Sequence, residues 1–183
     1  MRLVFVDRDG VINRFPGIGS YVTSRKDLKL LPNAVKGIRL LTRAGYRIHV
    51  ISNQGCVARG MLTKTELARL TRQMQREVLK KGGRLTKVHY CLHQSSDRCA
   101  CKKPKTLLLR RATKGSGVRR SDIFFIGDSK EDVRAGRDFG CRTILVLSGR
   151  TKKKDLKHFP VMPDLVKKNL YEAARWILKE KRS

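Results

Sequence analysis

The chain has 183 residues and carries 43 Lys and Arg against 15 Asp and Glu, a formal net charge of +28. No apolar run approaches the roughly 18–20 residues that cross a bilayer, and the odd count of five cysteines, three of them crowded together, speaks against a secreted disulfide framework. A chain of this size can bury a core as one compact domain over 1–183, and so basic a field favours polyanions and phosphorylated substrates, with a solvated basic surface as the plainer reading.

Met1 to Val6 is apolar but runs directly into Asp7 and Asp9, so it cannot serve as the apolar region of a signal peptide. The chain is therefore expected to begin here and to remain in a reducing cytoplasm. Short β-branched runs then alternate with longer amphipathic stretches, the pattern of βαβ units around a parallel sheet. The predicted strands are Leu3–Val6, Ile48–Ser52, Lys87–Cys91, Ile123–Gly127 and Thr143–Leu147. The predicted helices run from Asn33 to Ala44, closing at Gly45; from a Thr63/Glu66 capping box to Lys81; from Lys105 to Lys114; from Glu131 to Phe139; and from Asp164 to Lys179. Asn13–Leu30 and His93–Lys103 read as long loops, which in a compact domain are often functional. His49 and His89 alternate with apolar residues in strands and read as packing or surface residues. Cys56 and Cys141 read as small core residues, Trp176 as part of a helix packing face with Leu170 and Ile177, and Lys152–Lys154 as a solvated loop.

In open α/β sheets the ligand sits beyond the carboxyl ends of the strands. Those ends carry "DRDG" (Asp7–Gly10), "SNQ" (Ser52–Gln54), the Cys/Lys segment and "GDSKED" (Gly127–Asp132). Together they bring carboxylates that suit a hard cation such as Mg²⁺, and a hydroxyl and an ammonium that suit phosphoryl oxygens. Two aspartates where the chain leaves a strand can turn towards one ligand, one attacking phosphorus and the other handling protons. Taken alone, Asp-x-Asp also fits a turn or a helix cap.

In order and together, "DRDGV", Ser52, Lys103 and "GDSKED" resemble the four motifs of the haloacid dehalogenase superfamily of phosphotransferases, from Leu3 to about Leu147. Within it, "DRDGVIN", "SNQGCVARG", "CLHQSSDRCACKKP" and "GDSKEDVRAG" look like the branch of heptose bisphosphate and histidinol phosphate phosphatases. The resemblance implies a Rossmann-like three-layer α/β fold, a parallel sheet flanked by helices with no large cap domain. It implies Asp7 as nucleophile, Asp9 as general acid/base, and Ser52 and Lys103 as ligands of the transferring phosphoryl group. Mg²⁺ would be held by Asp7, the Asp9 carbonyl and Asp128, with Asp132 in support.

Cys91-x-His93 followed by Cys99-x-Cys101 supplies three thiolates and an imidazole, which suit tetrahedral Zn²⁺ in a closed, structural site. The related phosphatases carry the same ligand order in a zinc loop; a redox pair is the alternative, although Cys99-x-Cys101 lacks thioredoxin spacing. With no cap domain, substrate choice falls to the loops, where Asn53, Arg59 and Lys102 are the candidate substrate contacts. Lys102 stands where the family commonly has arginine, and the short interval from His93 to Cys99 is more like the histidinol enzymes. The expected reaction is Mg²⁺-dependent removal of the 7-phosphate of a heptose 1,7-bisphosphate through an aspartyl-phosphate, by a monomer acting on a small phosphorylated substrate. Histidinol phosphate hydrolysis, nucleic-acid 3′-phosphatase activity and polynucleotide binding on the same fold are the alternatives.

Overall fold

The β-branched runs become six parallel strands in one sheet, ordered β3-β2-β1-β4-β5-β6. They are β1 (Arg2–Val6), β2 (Tyr46–Asn53), β3 (Lys87–Cys91), β4 (Phe124–Gly127), β5 (Arg142–Val146) and β6 (Leu165–Lys167), in a computed structural model that describes residues 2–180. Met1 and residues 181–183, the ends of the expected domain, lie outside the described residues. The helices are α1 (Pro32–Arg43), α2 (Lys64–Lys80), α3 (Leu107–Thr113), α4 (Lys130–Phe139) and α5 (Leu170–Glu180). No helix of the described residues is long and apolar enough to cross a membrane.

A parallel sheet covered on both faces needs strands that are apolar throughout, and β1 shows why. Leu3, Val4, Phe5 and Val6 are all fully buried. Val4 and Val6 point into a core shared with α1, α2 and α5, whereas Leu3 and Phe5 point into a second core with α3 and α4. Helix α1 starts at Pro32, whose fixed φ suits a first helical position, and buries Ala34, Val35, Ile38 and Leu41. Helix α2 opens on the predicted capping box: the Glu66 amide donates to Thr63 Oγ1 at 3.1 Å and the Thr63 amide donates to Glu66 Oε2 at 2.8 Å. Such a cap contributes about 1 kcal/mol.

The predicted helix from Asp164 is corrected at its start. Leu165–Lys167 is a sixth strand, with Val166 in register with Leu145, and the helix begins only at Leu170. Asp164 does not cap a helix; its carboxylate accepts from the Thr143 amide (2.7 Å) and hydroxyl (2.8 Å), and Asn169 caps α5 instead, accepting from the Glu172 amide. Three residues of edge strand carry too little periodicity to stand out from a following amphipathic helix. On that helix Trp176 packs edge-on against Phe124, with ring centroids 6.1 Å apart. His49 is buried with its ring 5.4 Å from that of His89, and Cys56 and Cys141 are buried.

The strand order reverses between β1 and β4, which are hydrogen-bonded neighbours whose following helices lie on opposite faces. In this class of sheet that crevice is where ligands bind. Asp7 follows β1 and Asp128 follows β4, so the topology alone sets two carboxylates at its mouth.

Candidate active site and thiol-imidazole loop

The crevice is organised around a buried ammonium. Lys103 Nζ lies 3.0 Å from Asp7 Oδ1, 2.5 Å from Asp132 Oδ1 and 2.9 Å from the Ile51 carbonyl, so all three of its protons have acceptors. Its backbone is clamped by Asn53: the Lys103 amide donates to Oδ1 (3.0 Å) and Nδ2 donates to the Lys103 carbonyl (3.2 Å). Burial opposes the charge on Lys103, but Asp132 and Asp7 prevail and raise its pKa.

Asp132 is third in α4, and the capping geometry of that helix decides its role. Its Oδ2 accepts from the Ser129 hydroxyl (2.6 Å), the Ser129 amide (3.1 Å) and the Asp128 amide (3.2 Å). With Oδ1 on Lys103, both oxygens are committed to the protein. Asp128 sits between two glycines: a Cβ at Gly10 or at Gly149 would come within 2.0 Å of its Oδ2, which accepts from the Arg150 amide at 2.6 Å. Among the described residues, Asp7 Oδ2 and Asp128 Oδ1 take no protein donor, and both side chains line the cleft.

Oxygens of Asp7, Asp128 and Asp132 all lie within 4.8 Å of one another, with a single ammonium among them. Burial raises Asp7 to about 6, with Lys103 pulling against it and Asp132 and Asp9 adding to it; burial, Asp132 and Asp7 raise Asp128 well above its ordinary value. Crowded like charges with two unpartnered oxygens fit a hard divalent cation, which would neutralise the excess.

Asp9 differs. Its carboxylate accepts from Arg8 Nε (3.1 Å) and Nη2 (2.9 Å), from Asn13 Nδ2 (2.8 Å) and from Gln54 Nε2 (2.9 Å). Burial opposes ionisation, but Arg8 and the two amides outweigh it and hold Asp9 below the usual range. Arg8 is itself 1% exposed, with its guanidinium 5.8 Å from the centre of the Tyr90 ring. Gln54 Nε2 also reaches Ser52 Oγ at 3.2 Å, leaving the hydroxyl proton of Ser52 free to donate.

Asp7, Asp9, Ser52, Lys103 and Asp128 thus face one cleft of about 430 Å³. Its outer wall is Phe15–Tyr21, from the long loop after β1, and Arg59 and Lys102 line it further out. Arg59 lies over the Tyr21 ring at 5.8 Å, and Lys102 Nζ is 3.5 Å from the His93 carbonyl. Asn53 borders the cleft, but its amide is spent on Lys103. Sequence reasoning passed over Arg8, Asn13, Gln54 and Arg150. Reading the end of β5 as the other strand ends were read would have found the Gly149-Arg150 pair that holds Asp128.

Cys91 ends β3, and the chain returns to it after one loop. Cys91 Sγ lies 3.1 Å from Cys101 Sγ and 3.6 Å from Cys99 Sγ; Cys99 and Cys101 are 3.6 Å apart; His93 Nδ1 is 3.2 Å from Cys101 Sγ and 3.7 Å from Cys91 Sγ. Thiolates around a tetrahedral zinc at about 2.3 Å stand about 3.8 Å apart, so this set could hold one such ion. Burial and then Cys101 push the Cys91 thiol up to about 12, while against burial the Lys102 and Cys101 amides lower Cys99 to about 7. Lys105 Nζ closes the loop on the carbonyls of Arg98 (3.0 Å) and Cys99 (2.7 Å).

Comparison with known proteins agrees with this geometry. Residues 100–173 match the HAD-hydrolase-like family. The chain is 34% identical over 148 residues to the D-glycero-β-D-manno-heptose-1,7-bisphosphate 7-phosphatase of Pseudomonas aeruginosa, covering 81% of this chain and 82% of that one. It is 33% identical to the corresponding enzyme of Chlorobaculum tepidum, covering 94% and 92%. The solved D,D-heptose 1,7-bisphosphate phosphatase of B. bronchiseptica, complexed with magnesium and phosphate, superposes with a TM-score of 0.91 at 30% identity, covering 98% and 99%. With its Rossmann-type sheet and carboxylate crevice, the chain belongs to the heptose-1,7-bisphosphate 7-phosphatase family of HAD-like hydrolases.

Proposed function

We propose that the chain is an Mg²⁺-dependent phosphatase that removes the 7-phosphate of D-glycero-D-manno-heptose 1,7-bisphosphate. The observation that carries this reading is the Asp7 carboxylate at the mouth of the crevice, held by Lys103 and flanked by Asp9 and Asp128. Asp7, Asp128 and the Asp9 carbonyl would hold Mg²⁺, which offsets the charge of the nucleophile and the phosphoryl group. A carboxylate oxygen of Asp7 attacks phosphorus, the bond from phosphorus to the sugar oxygen breaks, and the leaving alkoxide takes a proton from Asp9. Water then attacks the aspartyl-phosphate, giving its proton to Asp9 and releasing phosphate. The donors around Asp9 in the resting site favour its ionised form, which suits this second half. The first half requires Asp9 in its protonated form, so it must take up a proton and give up part of that donor set before it can protonate the leaving oxygen.

Ser52 Oγ–H would donate to the phosphoryl oxygens, and Lys103 would do so by turning one of its protons from a protein acceptor to the substrate. Arg59 and Lys102, with Arg150, offer cations farther along the cleft for the second phosphate of a bisphosphate, where a guanidinium can bind two oxygens at once. Cys91, His93, Cys99 and Cys101 would bind a structural Zn²⁺, whose four protein ligands leave no position for water. The test is Mg²⁺-dependent phosphate release from heptose 1,7-bisphosphate, histidinol phosphate and a 3′-phosphorylated oligonucleotide. A kcat/KM at least about tenfold higher for the bisphosphate, a difference of about 1.4 kcal/mol, is the expected result. A preference for either other substrate overturns it.

A further inference from the structure

The surface ion pairs of this chain are divided unequally between its two halves. All six surface ion pairs among the described residues involve residues from Arg119 onward, such as Arg134–Asp138, Arg137–Asp164 and Arg142–Glu180. Residues 28–96, in contrast, hold fourteen Lys and Arg and only two acids, Glu66 and Glu77. Glu66 is folded back onto Thr63 and Glu77 accepts from Gln73, and neither forms an ion pair among the described residues.

The turn from α2 to β3 gathers these unpaired cations at one corner. The Arg84 amide donates to Thr42 Oγ1 near the end of α1 at 3.0 Å, and the Arg39 side chain lies against Gly82, where a Cβ would stand 3.3 Å from its Cδ. Thr86 is bonded to Ile48 through both its amide and its hydroxyl, and Lys87 is in register with His49. The end of α1, the end of α2 and the starts of β2 and β3 therefore meet here. Arg39, Arg43, Lys80 and Arg84 are exposed on the helix side of this junction, and Arg47 and Lys87, which alternate with Ile48 and Val88, are exposed on the other face of the sheet at the same strand starts. It lies at the amino ends of the strands, at the opposite edge of the sheet from Asp7.

A helix C-terminus favours a nearby cation, which accounts for Arg43 and Lys80 but not for the other four. Like charges held together without counter-ions destabilise the compact state and raise the local concentration of polyanions. We infer that this corner is a docking surface for the phosphodiester backbone of a nucleic acid, bound without base readout and separate from the phosphate site. Base stacking has no platform here, since Tyr46, the aromatic residue at the start of β2, is buried. A lipid surface fits less well, because interfacial helices bury an apolar face beneath their cations. The large exposed apolar residue at the corner is Leu79; Ile18, Met61 and Met162 lie elsewhere in the chain.

The inference does not rest on the phosphatase reading, and its test uses no turnover as the primary signal. Binding of a fluorescent 20-nucleotide RNA with hydroxyl groups at both ends, which offers no terminal phosphate to the crevice, is followed by anisotropy across a salt series. The variant Arg43→Gln/Arg47→Gln/Arg84→Gln/Lys87→Gln is compared with Lys153→Gln/Lys154→Gln/Lys157→Gln/Lys168→Gln, which removes the same charge from exposed positions elsewhere. The corner variant should bind at least about tenfold more weakly at 50 mM salt, with a log–log salt slope shallower by roughly 0.7 for each phosphate that is no longer neutralised. The control variant should change affinity by less than about twofold, and neither variant should melt below the parent or turn over more slowly than it does. Equal losses in the two variants would overturn the inference in favour of diffuse total charge. Absence of RNA binding at 50 mM salt, or tighter binding to vesicles of one-third phosphatidylserine than to RNA, would also overturn it.

Discussion

Around Lys103 each hydrogen-bonding proton has a protein acceptor, whereas a few residues away Cys91, His93, Cys99 and Cys101 turn their sulfur and nitrogen atoms towards one shared centre. Both clusters rise from strand ends at the same edge of the sheet, and residues 101 to 103 join them. The carboxylate-lysine cluster carries its order within the protein: Asp132 caps α4 and holds the ammonium, and Asn53 clamps the backbone. The thiol-imidazole cluster has little apolar content in its loop, and on the proposed zinc reading its order depends on the ion at its centre. Removing one residue from the first should therefore change chemistry more than stability, and removing one from the second should do the reverse.

The largest effect tests the first half of that contrast. Asp7→Asn removes the proposed nucleophile and one of three crowded carboxylates, and it should lower kcat by at least about 10³-fold. The melting temperature should hold or rise, because burial and like charges already oppose ionisation of Asp7. Phosphate release and a thermal melt decide it; activity at the parent level sinks the nucleophile assignment. Cys99→Ser tests the second half. Zinc per chain by mass spectrometry should fall from near one to well below it, with the melt lowered by several degrees as metal-linked folding energy is lost. Unchanged metal content and melting would mean that the loop is ordered by Lys105 and backbone contacts alone.

Asn53 is where the two regions can be separated. Its amide bonds the Lys103 backbone and touches none of the four thiol-imidazole ligands in a hydrogen bond. Asn53→Ala should leave zinc content at the parent level and lower kcat by about 10- to 100-fold, the usual result of displacing a catalytic group by a fraction of an ångström to an ångström. KM should move less than kcat. If zinc is lost together with activity, the two clusters form one cooperative unit.

What the sequence made legible follows from which features are local. Asp7 and Asp128 follow β1 and β4, and Ser52 lies near the end of β2, so the strand pattern brought them to one edge before any distance was known; Lys103 lies in the loop beyond β3, where position alone left it open against Lys102 and the family resemblance singled it out. The thiol-imidazole set was legible because its four ligands fall within eleven residues. Arg8 and Gln54 were not, because a buried arginine reads as a surface cation until its partner Asp9 and its aromatic neighbour Tyr90, on another strand, are in place. Asn53 looked like a substrate contact for a related reason: its partner lies 50 positions away in the chain. Strand β6 failed on length, and with it the position of Asp164.

Asp164 supplies the reference for a carboxylate that is ordered by hydrogen bonds with no metal-binding neighbours. It accepts from the amide and hydroxyl of Thr143 and pairs with Arg137 at the far edge of the sheet. Against partial burial, the Thr143 donors and then Arg137 lower its pKa, so the folded state favours its ionised form. A depressed folded value contributes stability that is fully present above the unfolded value of about 3.9 and is lost as pH falls through the folded one. Asp164→Asn should therefore melt a few degrees below the parent at pH 7. The gap should stay constant down to about pH 5 and close under more acid conditions, with activity, zinc content and Mg²⁺ dependence unchanged. A gap that instead varied with chelator or Mg²⁺ would tie this edge of the sheet to the crevice and break the separation between carboxylates held by the protein and ligands held by a metal.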